Sequence, residues 1–420
     1  MITIILAICL IIQFIACIFI GWSGIIAFLG LTKKNIPVRS GNEARKNRFA
    51  VVVCARNEEK VLPILFNSLM KQDYPQNCWH VYLLADHCTD ETVRVAKQFP
   101  FVTVYEKTGD SAKGKGAVLS WGIRKLLKER GEAFDAMLFF DADNIADSSF
   151  ISNMNDHLNR GNEIVQGFRI AGLPYRTVVT KWYALYWPIY SYIYSYPREK
   201  MGLSCFLTGT GFAVSKKLLK KHSWKTSSIT EDVEYSFQQC LRSGRVSFCI
   251  HAVCYDEQPS SFSVMLRQLM RWCTGNYEIL RTYFGKWFAE FRCHPSARLF
   301  DNLALLLIGP CSCMVFLITI ILSFVYAKIS LPLVLIHLTF FVLGYLVTAA
   351  AAAIIARYQK MPVRALLGAI LTFPLFLWIY TLCSAYSILC PQRKWKTIAH
   401  SGLSDPDGGK KEEKIRKSAV

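Results

Sequence analysis

Met137-Leu138-Phe139-Phe140-Asp141-Ala142-Asp143-Asn144 is the stretch that decides how this chain folds. Four apolar residues followed by acids read as a buried parallel strand ending in two carboxylates. In open α/β sheets, ligands bind outside the carboxyl ends of the strands. Side chains two apart share a face, so Asp141 and Asp143 can both turn toward one hard cation. The competing reading is a solvated loop, with an acid capping a helix that begins near Asp147-Ser148-Ser149.

Working outward, residues 49–54 read as another buried strand, followed by a helix carrying Val61, Leu62, Leu65 and Leu69. Residues 80–85 give a strand running into Asp86-His87-Cys88-Thr89-Asp90, and residues 101–105 give a further one. Asp86 also suits a plain turn, and Asp90 suits the cap of the next helix. This alternation, from Arg48 to about Val214, predicts a parallel sheet with covering helices. Gly114 and Gly116, with Lys113 and Lys115, open a helix through Leu127, a setting that can hold phosphate or simply mark an exposed turn.

The chain has 420 residues, 52% of them hydrophobic, and a formal net charge of +19. That length allows about two to three domains. The apolar residues gather at the two ends, and the charge suggests an acidic partner such as phosphate or anionic lipid. The basic residues show no nucleic-acid-binding pattern, so no nucleic-acid partner is expected. Fifteen cysteines without metal-ligand spacing suggest reduced, packed thiols rather than a disulfide framework.

Residues 2–31 are long and apolar enough to cross a bilayer, with Lys33, Lys34, Arg39, Arg45, Lys46 and Arg48 directly after them. The basic flank places the following domain in the cytoplasm. Apolar stretches at about 303–326, 331–355 and 366–389 could each span as well. Three such crossings would leave the basic tail outside, against the positive-inside rule, unless Pro374 breaks the last stretch into a re-entrant or interfacial segment. Between Lys181 and Tyr196 the chain is dense in Trp and Tyr and contains Pro188, which favours the bilayer interface or an acceptor groove over core. Phe262 to Phe288, where Arg267, Arg271, Arg281 and Lys286 interleave with apolar residues, is a second interfacial candidate.

Six motifs then come in one order: Ala55-Arg56-Asn57-Glu58-Glu59, Asp86-His87-Cys88-Thr89-Asp90, Lys113-Gly114-Lys115-Gly116, Asp141-Ala142-Asp143, Thr230-Glu231-Asp232 and Gln268-Leu269-Met270-Arg271-Trp272. Together they resemble the membrane-embedded members of glycosyltransferase family 2, such as the poly-N-acetylglucosamine, hyaluronan, chitin and cellulose synthases. The resemblance implies an α/β GT-A (Rossmann-like) cytosolic domain inserted between transmembrane helices. The expected division is an anchor at 1–32, the GT-A domain at 33–260, interfacial helices at 261–302, membrane segments at 303–390 and a basic tail at 391–420.

By the same resemblance, Asp143 ligates Mg²⁺ or Mn²⁺, and Asp141 sits close to the nucleotide or the same ion. Asp86 meets the base, Ala55 and Glu58 line the nucleotide pocket, and Lys115 faces phosphate. Asp232 is the expected general base, although Thr230-Glu231-Asp232 also suits a helix cap, and Glu231 is secondary. Gln268, Arg271 and Trp272 share one helix face, with Trp272 on the acceptor sugar and Arg271 on pyrophosphate. Gly209, in Phe206-Leu207-Thr208-Gly209-Thr210-Gly211-Phe212, belongs to the acceptor-side loop, where glycine permits close approach. Two departures stand out: Ala85-Asp86 replaces the paired acids of many relatives, and only Trp395-Lys396-Thr397 resembles a gating motif.

The expected protein is an inverting, metal-dependent glycosyltransferase of the plasma membrane. Its donor is a nucleotide sugar, UDP-linked by expectation, and its acceptor a glycan or lipid. A processive polysaccharide synthase is the leading reading, with room for an accessory subunit. Single transfer to a lipid is the nearest rival, and a catalytically dead nucleotide-sugar-binding partner is the rival from another class.

Overall fold

The computed structural model describes residues 2–34, 45–109, 114–327 and 331–392. Lys113, Arg39, the tail beyond Gln392 and the Trp395-Lys396-Thr397 motif lie outside the described residues.

Among the described residues, eight strands form one sheet: β1 (Phe49–Ala55), β2 (Trp79–Asp86), β3 (Val102–Lys107), β4 (Ala136–Asp141), β5 (Ile145–Ala146), β6 (Ile164–Ala171), β7 (Phe212–Ser215) and β8 (Val246–Asp256). Their order is β3-β2-β1-β4-β7-β6-β8-β5. β1 to β4 are parallel to their neighbours in that half. β1, β2 and β4 are buried almost throughout because helices cover both faces, while the edge strand β3 carries Thr103, Glu106 and Lys107. Val51 and Val53 pack with the Leu62–Leu69 helix on one face, and Ala50 and Val52 with the Lys115–Arg130 helix on the other. The expectation of a parallel sheet fails past β4. β7 runs antiparallel to both β4 and β6, entered from the glycine-containing loop that follows the Tyr196–Met201 helix.

Register sets the working edge. Cys54 pairs with Asp141, and Ala55 with Ala85, so the ends of β1, β2 and β4 lie level. Strand order reverses between β1 and β4, the switch point at which such sheets open a crevice.

Among the described residues, four helices are long and apolar enough to cross a membrane, with candidate spans at Ala7–Thr32, Ala297–Leu322, Leu338–Tyr358 and Val363–Leu389. The first two run antiparallel, as Gln13 bonds Thr319 while Trp22 bonds Asp301. A buried joint holds them to the sheet domain. Arg198, fully buried, pairs with the equally buried Asp301 at 2.9 Å and reaches Ser23 at 3.3 Å.

The last helix, Val363–Leu389, rests on the domain along its length. Thr372 accepts from Trp182 Nε1 at 3.0 Å, Ser387 donates to the Met270 carbonyl at 3.3 Å, and just beyond the helix the Gln392 N–H donates to Thr274 at 3.2 Å. Pro374 lies within the helix without ending it.

Candidate active site

A cavity of about 1500 Å³ opens at the level edge of β1, β2 and β4 and continues between the apolar helices Ala297–Ala327 and Val363–Leu389. All the residues singled out from the sequence line it: Ala55, Glu58, Asp86, Lys115, Asp141, Asp143, Gly209, Asp232, Gln268, Arg271 and Trp272. They fall into three groups along its length.

At the outer end, the loops after β1 and β2 are sewn together. Asn57, at φ +60°, accepts from the Thr89 N–H at 2.8 Å, and the Glu58 N–H donates to Thr92 at 2.7 Å. This fixes the backbone from Ala55 to Glu58. Asp86, nearly buried, contacts His87 Nδ1 at 2.8 Å and the Lys107 ammonium at 3.5 Å. Asp90, expected to cap the next helix, sits one residue ahead of its N-cap Glu91 and accepts from the Thr92 and Glu59 amides.

At the centre, Lys115 is ion-paired to Asp141, donates to the Gly209 carbonyl at 2.8 Å and lies 3.9 Å from Glu231. Burial works against its charge, but Asp141 and Glu231 more than offset this and hold its pKa above the ordinary lysine range. Buried Asn144 organises the acids around it: its side-chain amide donates to Asp143 at 3.3 Å and to Asp256 at 2.9 Å, while its oxygen accepts the Asp141 N–H at 3.0 Å. Asp141 and Asp143 offer oxygen donors that suit a hard divalent cation. Among the described residues no group of three or more His, Cys, Asp or Glu converges for a metal. A cation here would therefore draw its other ligands from a diphosphate and water, as Mg²⁺ sites commonly do.

Across the cavity, Thr230-Glu231-Asp232 opens the Glu231–Leu241 helix. Thr230 does not cap it through its side chain. Gly209 has φ +90°, and a Cβ there would sit 3.5 Å from Asp232 Oδ2, so carboxylate and loop are in close apposition. Burial raises the pKa of both acids, Glu231 to about 7, with Lys115 and Arg271 opposing the rise.

Toward the membrane helices, Gln268 accepts from the Tyr183 hydroxyl at 2.6 Å, and Trp272 packs among aromatics, 5.7 Å from Trp187 and 6.3 Å from Tyr186. The aromatic stretch therefore serves both as core and as lining. Trp182 and Tyr183 are buried in an apolar cluster, while Tyr186, Trp187, Tyr190 and Tyr194 line the cavity. A π-helical turn, Ser191–Ser195, interrupts the run.

Sequence reading missed Arg169 and Asp256. Arg169 lies 4.1 Å from the Trp187 ring, donates to Asp256 through Nε at 2.8 Å and to the Thr208 carbonyl at 2.7 Å. A signal existed, since Asp256 closes a mostly apolar strand as Asp141 does, and Arg169 is the only charged residue of β6.

A parallel half-sheet carrying a nucleotide-sized hollow at its carboxyl edge, joined to a mixed half, defines a GT-A-like glycosyltransferase domain. The chain belongs to the family described as glycosyltransferase like family 2, which matches residues 46–275, more than half its length. The matched region is thus a family 2 glycosyltransferase-like domain. The chain is 22% identical over 267 residues to the probable glycosyltransferase YdaM of Bacillus subtilis, covering 61% of each chain. It is 21% identical over 247 residues to a beta-monoglucosyldiacylglycerol synthase of Nostoc sp., covering 56% of this chain and 50% of that one. The chain thus spans between half and two thirds of the length of these relatives. Among solved structures, the mannosyltransferase PcManGT from Pyrobaculum calidifontis, in complex with GDP-Man and Mn²⁺, shares the fold with a TM-score of 0.61 at 15% identity, over 92% of this chain and 99% of that one.

Proposed function

We propose that this chain is an inverting, metal-dependent membrane enzyme that extends a polysaccharide with sugars from a UDP-linked donor. The observation that carries this reading is the continuity of one cavity from Ala55 and Asp86, past Asp232, to the aromatic lining at Trp272, Tyr186 and Tyr190. Donor, reacting groups and a platform for acceptor sugars then share a single space.

Ala55, Glu58 and Asp86 bind the nucleotide, with Asp86 oriented by His87 and Lys107. Asp143 and Asp141 hold Mg²⁺ or Mn²⁺, which when bound neutralises the pyrophosphate. Lys115, kept charged by its acidic neighbours, and Arg271 stabilise the negative charge that grows on the departing diphosphate. Asp232 takes the proton from the acceptor hydroxyl. The hydroxyl oxygen bonds to the anomeric carbon as the bond to phosphate breaks, so configuration inverts in one displacement. Glu231, close to Lys115, tunes the charge of the pair rather than reacting. Trp272 stacks on the acceptor.

In this reading the catalytic domain faces the cytoplasm and the Val363–Leu389 helix lies along the cytoplasmic face of the plasma membrane. Three crossings then leave the basic tail beside the catalytic domain, in accord with the positive-inside rule. A second reading, transfer of one sugar to a lipid, is favoured by Leu305, Ile308 and Leu377, which give the cavity apolar walls between the membrane helices. The name of the Nostoc relative points the same way.

The deciding experiment measures UDP release by full-length protein in membranes across UDP-sugars, with products sized and Asp232→Asn as control. Long products lost in the variant would support the polymer reading. Short, lipid-extractable product would replace it with the second. Donor binding without turnover would leave a non-catalytic binding partner.

A further inference from the structure

Three consecutive backbone amides just ahead of Asp232 are held by two carboxylates from two different helices. Glu234, only 1% exposed, accepts from the Ser227 and Ser228 N–H groups at 2.7 and 2.6 Å. Glu278, on the Phe262–Cys293 helix, accepts from the Ile229 N–H at 3.3 Å and the Ser228 hydroxyl at 3.1 Å. Tyr283 of that same helix donates to Glu234 at 2.8 Å, which ties the two acids together. Gly275, one turn before Glu278, lies so close to Thr230 that an added Cβ would overlap its side chain.

Amides ahead of a helix lack intrahelical partners, and Thr230 supplies no side-chain cap here. A local serine or threonine would satisfy them just as well. Drawing one acceptor from the distant helix instead welds the loop to the rod that carries Gln268, Arg271 and Trp272. The hydrogen bonds are charge-assisted, the stronger kind, and Glu234 makes its own away from water.

We propose that Glu278, acting with Glu234, is a positioning residue that fixes Asp232 relative to Arg271 and the acceptor platform. The proposal rests on the reading of Asp232 as the base. Glu278 touches no reacting atom and is not itself catalytic. Its removal should let the loop shift while leaving the nucleotide end, formed by β1, β2 and β4, as it was.

The test uses the full-length chain in lipid, with UDP as the binding probe and, as donor, whichever UDP-sugar the wild type turns over. Displacement of a reacting group by about 1 Å can cost 100-fold, so Glu278→Ala should lower kcat by roughly that factor with UDP affinity kept within about twofold. Glu278→Gln, which can still accept both hydrogen bonds, should restore most of the rate. Adding Glu278→Ala to Asp232→Asn should cost little more, because both act at one point. Wild-type kcat in Glu278→Ala, parallel losses of kcat and UDP binding, or an additive double variant would each overturn the clamp. Should Glu278→Ala fail to fold, Tyr283→Phe loosens the same clamp from the Glu234 side, and an unchanged kcat there would overturn it equally. Full activity of Asp232→Asn would instead sink the base assignment, leaving the two failures distinguishable.

Discussion

Lys115 donates to the Gly209 carbonyl at 2.8 Å, joining two segments 94 residues apart at the centre of the cavity. The bond links the start of the Lys115–Arg130 helix to the loop entering β7, and φ of +90° at Gly209 is what turns that carbonyl and brings Asp232 near. The same ammonium serves Asp141, so one cation sets the spacing of both walls.

Removing that cation should be severe. Lys115→Met leaves Asp141 and Glu231 without their counter-charge and takes a positive group from the leaving-group side. Donor turnover should fall about 100-fold, the usual cost of losing one such stabilising donor. A near-normal kcat would show that Lys115 serves structure alone.

The acid pair gives the pH profile a sign. Burial lifts Glu231 to about 7 and raises Asp232 as well, so both favour protonation as pH falls. A base must be ionised to accept a proton, so kcat/KM should fall as pH drops, along a limb that lies above the ordinary aspartate range. Glu231→Gln leaves Asp232 without a neighbouring carboxyl, which should move that limb to lower pH. An unmoved limb would assign it to another group.

Metal dependence should be absolute and should report on Asp143. Chelation is expected to stop transfer, with Mn²⁺ or Mg²⁺ restoring it. Asp143→Asn should raise the metal concentration needed for half-maximal rate by at least about tenfold, since even outer-shell losses reach that size. Unchanged metal titration in the variant would exclude Asp143 as a ligand.

The joint between Arg198 and Asp301 predicts an asymmetry in stability. Breaking a buried pair from one side leaves a lone charge and costs about 3–5 kcal/mol, whereas replacing both partners by apolar groups can be neutral. Arg198→Met should lower the unfolding temperature in detergent, and Arg198→Met with Asp301→Leu should recover much of it. An equal or larger loss in the double variant would argue that the ion pair itself supplies the strength.

The contact of Gln392 with Thr274 predicts the side of the tail. A protease-cleavable tag added after Val420 should be cut from the same side of sealed vesicles as the catalytic domain. Cleavage only from the other side would make the last helix a true crossing.

Much of this was legible in the chain because it rests on local pattern. The apolar strands, the acids that end them and the spacing of Gln268, Arg271 and Trp272 along a helix all follow from short-range periodicity. What was not legible depends on distant partners. Nothing near Glu278 announces that its carboxylate meets Ile229, 49 residues back. Hydropathy makes Val363–Leu389 look like any other span, and its contacts with Trp182 and Thr274 could not be read from it. The turn to a mixed sheet was hidden because β7 has four residues, too few for alternation to register.

The buried Arg198 also decides what counts as the working unit for anyone handling this enzyme. The catalytic fold is not a soluble body with a detachable anchor. The underside that meets the membrane helices includes Arg198 and the flank of Pro197 against Gly30. Trimmed of those helices, a recombinant fragment would present that interior to water, and purification tags, inhibitor screens and crystals of it would sample a different surface. Assays are best designed around the intact chain in lipid, where the substrate-bearing cavity keeps all of its walls.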